Sequence, residues 1–93
     1  MERSREATIY DEKVKNRLKR IEGQARGILR MMEEARSCGE VVHQLSAMRA
    51  AVDRAIAYVI ANYMEQCIRE QVIKGEDTEQ KIQEAIQLLT KSR

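Results

Sequence analysis

The 93-residue chain has no proline, no tryptophan and no phenylalanine, and its only aromatic residues are three tyrosines. Without proline, nothing in the chain forces a helix to break, so long helices are allowed throughout. No run of about 18 apolar residues occurs, which excludes a membrane-spanning helix. The start, Met1 to Thr8, is charged and lacks an apolar centre, so it does not read as a secretory signal. These absences lead us to expect a cytoplasmic protein. Histidine occurs once, at His43, and cysteine twice, at Cys38 and Cys67, with no C-x-x-C pair. That is too little for a closed structural zinc site within one chain. Two cysteines in a reducing compartment are not expected to form a permanent staple either. No Ser/His/Asp set, paired-carboxylate pocket or phosphate-binding glycine loop stands out. We therefore expect neither an enzyme nor a bound cofactor.

What is present is helical periodicity. Val14, Leu18, Ile21, Ala25, Ile28 and Met32 recur at steps of four and three, a seven-residue apolar repeat that suits lengthwise packing on partner helices. This first helix is expected to begin near Tyr10 or Asp11 and to end around Ala35. Gly23 and Gly27 lie four apart within it, where small residues permit close approach or are simply tolerated. Ser37-Cys38-Gly39-Glu40 is a capping box that opens a second helix. Val41, Leu45, Met48, Val52, Ile56, Val59 and Tyr63 form its stripe, broadened by Val42, Ala55, Ile60 and Met64. Gly75 is the expected stop. Asp77-Thr78-Glu79-Gln80 is expected to cap a short third helix, with Ile82, Ala85, Ile86 and Leu89 facing the core. Strand patterns are missing. The sequence thus predicts an all-α protomer with two long helices and a short third. Residues 1–9 are expected to be a loose tail and 10–93 a single domain. A chain this small buries little core, which favours self-association.

The net charge of +2 conceals an asymmetry. Between Lys13 and Arg30, Lys13, Lys15, Arg17, Lys19, Arg20, Arg26 and Arg30 face one acidic residue, Glu22. Between Glu65 and Glu84, acidic residues outnumber basic ones. A basic first helix suits a polyanionic partner, although such a run is also compatible with a plain solvated face.

Cys38 occupies the first position of the second helix, where free backbone N–H groups and the helix dipole stabilise a thiolate. Arg36 close by adds positive potential. In a straight helix the 29 residues from Cys38 to Cys67 span roughly 43 Å at about 1.5 Å each. The two thiols then cannot meet within one chain. They can meet if this helix pairs antiparallel with that of a second chain, and a two-fold dimer would create two such sites. The alternative is a pair of inert, buried cysteines. His43, five residues after Cys38, reads as an ordinary surface or core histidine.

The run Lys15-Asn16-Arg17-Leu18-Lys19-Arg20-Ile21-Glu22-Gly23-Gln24-Ala25-Arg26-Gly27-Ile28 closely resembles the first-helix signature of the CsoR/RcnR family of copper-sensing and related repressors. Met31-Met32-Glu33-Glu34, Cys38 and Gln44-Leu45-Ser46-Ala47 extend the resemblance, which covers about residues 10–91. It implies a three-helix protomer, an antiparallel dimer, a tetramer of two dimers, and operator DNA bound through basic helix surfaces without a helix-turn-helix. By position, Lys15, Arg17, Arg20, Arg26, Arg49 and Arg54 would face the DNA. Copper sensors of the family carry Cys, then His, then Cys. Here the spacing is kept as Cys38, Tyr63 and Cys67, but tyrosine replaces the histidine. A neutral phenol is a poor ligand for soft Cu(I). The chain therefore most resembles the persulfide-sensing (CstR-like) branch, which keeps both cysteines and lacks the histidine. There a persulfide or polysulfide inducer links the cysteines across the dimer and releases the operator. Tyr63 departs from that branch, which has a small polar residue at this position; Asn62 is one place off. Glu84 resembles a carboxylate that stands behind the family's site. The alternatives are a Cu(I) sensor using Cys38 and Cys67 alone, or a structural oligomerisation module. Nickel, cobalt and formaldehyde sensing fit less well.

Overall fold

The computed structural model describes residues 9–74 and 79–92. They form three helices, α1 (Glu12–Glu33), α2 (Cys38–Lys74) and α3 (Glu79–Lys91), and no strand occurs among the described residues. The all-α expectation holds. Helix α2 is 37 residues long and unbroken, the condition on which the separation of its two cysteines depended. The expected stop at Gly75 and the cap at Asp77-Thr78 lie outside the described residues.

The turn between α1 and α2 shows two different signals at work. Ala35 N–H donates to Met32 O (3.1 Å) and Arg36 N–H to Met31 O (3.0 Å), the paired bonds of a Schellman ending. That ending places Ala35 in the left-handed region with φ of 55°, a position glycine usually fills because a Cβ is strained there. At the other side, Glu40 N–H donates to Ser37 Oγ at 3.2 Å, as the capping box requires. The reciprocal half differs from the motif. The Glu40 carboxylate accepts from Ser37 Oγ at 3.1 Å and from Arg36.

The residues group into two compact units, Glu12–Ala55 and, for the rest, residues up to Asp11 together with those from Ile56 onward. In the first, Val14, Ile21 and Ile28 are buried. Alternate members of the heptad, Leu18 and Met32, are 60% and 50% exposed. Val42, Leu45 and Val52 on α2 are also exposed. One row of the repeat is thus satisfied within the chain and the other is not. In the second unit the buried residues are Ile9, Ile60, Cys67 and Ala85. The sequence expected Ile86 and Leu89 to face the core. Both are exposed, whereas Ala85, expected there with them, is fully buried and Ile82 half-buried. Ile9, assigned to the loose tail, is buried.

Candidate functional site

The Cys67 site lies wholly within the second unit. Tyr63 precedes Cys67 by four residues, one turn of α2, so both side chains lie on one face. Cys67 is a free, buried thiol. The Tyr63 hydroxyl donates to Glu84 Oε2 of α3 at 3.3 Å, and Lys81 Nζ lies 3.7 Å from the same carboxylate oxygen. Burial, the hydrogen bond and negative charge of Cys67, and the Glu84 carboxylate together push the Tyr63 phenol up to about 12. At neutral pH the phenol therefore keeps its proton. It serves as a hydrogen-bond donor beside the thiol and not as an anionic ligand. The residues Cys67, Tyr63 and Glu84 that the sequence singled out are brought together. Asn62 is not one of them, because its amide faces away towards Ile9 and Asp11. Lys81 was missed. Its place three residues before Glu84 on a helix is the signal that would have found it.

Cys38 has the opposite setting. It is exposed and starts α2 directly after the Ser37 cap. The positive potential expected from Arg36 is largely cancelled. Arg36 pairs with Glu40 and lies 3.9 Å from Glu34. The hydrogen bond from Arg36 holds the Glu40 carboxyl below the usual carboxylate range, with Ser37 and the Arg36 charge adding to the effect. Arg36 therefore adds little positive potential at Cys38. His43 is exposed. Among the described residues, no group of three or more His, Cys, Asp or Glu side chains is placed to hold a metal ion.

The basic residues fall into distinct groups. Arg17 and Arg20 of α1 and Arg54 of α2 line one recess of about 440 Å³, together with Gln24, over a floor of Ile21 and Ala51. Among the described residues neither Arg20 nor Arg54 has an acidic partner. Lys15 instead borders a second, mainly apolar recess of about 590 Å³ formed by Leu18, Ile21, Ala25 and Met48. Arg26 lies 3.9 Å from Glu22, both highly exposed. Arg49 is exposed on α2. A Cβ added at Gly27 would meet nothing within 4 Å, and one at Gly23 only the tip of Arg26. Packing within this chain does not require either glycine.

No helix among the described residues is long and apolar enough to cross a membrane. The family model described as metal-sensitive transcriptional repressor matches residues 10–91. The copper-sensing transcriptional repressor CsoR of Bacillus subtilis is 38% identical over 80 residues, covering 86% of this chain and 78% of its own length. The protein YrkD of the same organism is 49% identical over 63 residues, 68% of this chain and all of YrkD. Among solved structures, the nickel-responsive transcriptional regulator InrS superposes with a TM-score of 0.72 at 38% identity, covering 86% of this chain and 89% of its own. Proteins of this kind are repressors and not enzymes. The chain belongs to the metal-sensitive transcriptional repressor family, the CsoR/RcnR family.

Proposed function

We propose that this repressor responds to persulfide or polysulfide through Cys38 of one chain and Cys67 of a second, and leaves its operator when the two are linked. The observation that carries the reading is the company Cys67 keeps. Its neighbours are a protonated phenol and a carboxylate already engaged by Tyr63 and Lys81. They offer oxygen only, with no further soft donor for a metal ion. Copper and nickel are named for CsoR and InrS; the donor set here does not fit a metal held by three protein ligands.

The chemistry follows from the two settings. The exposed Cys38 thiolate attacks the outer sulfur of a persulfide RS–SH, giving Cys38–S–SH and a free thiolate RS⁻. The Cys67 thiolate of the other chain then attacks the inner sulfur of Cys38–S–SH and expels HS⁻, leaving a disulfide. If both cysteines are first persulfidated, the same displacement leaves a trisulfide. The exposed heptad row of α1 and the exposed Val42, Leu45 and Val52 of α2 support a second copy as the partner that brings the thiols together. The tetramer of two such dimers is part of the same proposal.

Operator DNA is proposed to contact the Arg17, Arg20 and Arg54 recess, with Lys15, Arg26 and Arg49 reaching further phosphates. Replacing both Arg20 and Arg54 with Ala should weaken binding to a selected operator duplex. It should also reduce the slope of log affinity against log salt by about 0.9 for each phosphate that is no longer neutralised. An unchanged slope would remove this recess from the interface. The inducer is tested by treating reduced protein with glutathione persulfide or with Cu(I), then measuring operator affinity and intact mass. Loss of affinity with a crosslinked, sulfur-enriched mass supports the proposal. Release by Cu(I) with no response to persulfide contradicts it.

A further inference from the structure

Asn62, half-buried on α2 and adjacent in sequence to Tyr63, has no part in the Cys67 cluster. Its Nδ2 donates to Ile9 O at 2.9 Å and lies 3.4 Å from Asp11 Oδ2. Ile9 is only 4% exposed. One amide and one buried isoleucine thus fasten a three-residue segment whose last member, Asp11, directly precedes the first residue of α1. Asp11 stands at the N-cap position, where a carboxylate side chain suits the unpaired backbone N–H groups that follow. The amide at Asn62 is a specific requirement. It must present donors to two oxygen acceptors, and neither a carboxylate nor an apolar group of similar size can do so. Consecutive residues on a helix project about 100° apart, so Asn62 holds the segment while Tyr63 turns to Glu84.

We propose that Asn62 is a positioning residue: with Ile9 it forms a strap that fastens the entry of α1 to the part of α2 that carries Cys67, and the hold of this strap sets operator affinity. The second half rests on the proposed function, in which α1 faces DNA. Strap and Cys67 cluster share the same stretch of α2 through adjacent residues. The strap holds residues 9–11, the last of which precedes α1, to that stretch of α2.

The test uses the full chain in two variants, Asn62→Asp, which replaces the donor with a carboxylate facing Asp11, and Ile9→Ala, which removes the buried anchor and leaves Asn62 intact. Amide hydrogen exchange is read at residues 15–18, the first amides of α1 that bond within the helix. Affinity is read against a duplex selected by the wild-type protein from a random-sequence pool. Either variant is expected to speed exchange at those amides by about tenfold, the scale of one missing buried hydrogen bond. Each should weaken the duplex by a similar factor while the bulk of α2 keeps its protection. The double variant should add little to either single one, because both cut the same strap. Unchanged exchange in the two variants, or faster exchange with unchanged affinity, overturns the proposal. Should Asn62→Asp lose its helical signal, Ile9→Ala carries the test alone. A wild-type chain that selects no duplex contradicts the proposed function, and exchange then decides the strap by itself.

Discussion

At its first residue, α2 presents Cys38 to solvent, behind a serine cap and beside an arginine already paired with glutamates. Twenty-nine residues on, the same helix buries Cys67 beside the Tyr63 phenol, which donates to Glu84, itself 3.7 Å from Lys81. The first thiol is placed to be reached by a reagent, and the second to be kept from one until a partner sulfur arrives. Under the proposed function, this difference gives the order of events, attack at Cys38 and resolution at Cys67 of a second chain.

The largest expected contrast is kinetic. Iodoacetamide should alkylate Cys38 roughly tenfold or more faster than Cys67 in the native reduced protein, since rate follows access and thiolate character, and urea should abolish the difference. Mass spectrometry of the modified peptides reads it directly. Equal native rates would remove the distinction on which the order of attack rests.

A smaller effect should follow from Tyr63→Phe. Its phenol is raised from the ordinary value of 10.0 to about 12, so the folded state favours the protonated form. That contribution to stability is complete below about pH 10 and is lost as pH rises towards 12. The wild-type chain should therefore lose stability more steeply than the variant across this window in urea titrations. Tyrosinate absorbance should show a component near pH 12 that the variant lacks. Parallel stability profiles would mean that the packing of Tyr63 on Cys67 and Glu84 is too loose to matter.

The smallest change concerns the exposed end. Ala35→Gly relieves a left-handed alanine at the close of α1, at the cost of a more flexible unfolded chain. The net gain should be about 0.5–1 kcal/mol, read as a rise in Tm of a few degrees. A fall in Tm would show that Ala35 contributes packing that its exposed position does not suggest.

The capping box at Ser37, the unbroken second helix and the apolar heptad were legible in the sequence, because each depends on neighbours within a turn or two. The heptad did not reveal which of its rows the chain itself would cover. Val14, Ile21 and Ile28 differ little in type from Leu18 and Met32, and the outcome depends on where α2 packs. The ending at Ala35 was hidden because alanine gives no left-handed signal. Tyr63 and Glu84 entered through spacing and resemblance, whereas the hydrogen bond that Asn62 makes was invisible. Its partner Ile9 lies 53 residues away, and no local pattern announces such a pairing. The clustering of Arg17, Arg20 and Arg54 was only half visible: the first two share a helix, and the third reaches them by tertiary packing.

The central claim is that a complete site needs Cys38 from one chain and Cys67 from another. It is tested most directly by mixing Cys38→Ser and Cys67→Ser chains, exchanging subunits, and treating the mixture with glutathione persulfide. Each variant alone lacks one thiol of every site, but a mixed dimer holds one complete pair. Intact mass under non-reducing conditions should show a single covalent dimer containing one chain of each variant, linked from Cys38 to Cys67. A mixture that stays monomeric while the wild-type protein still forms a bridge within one chain would contradict the account.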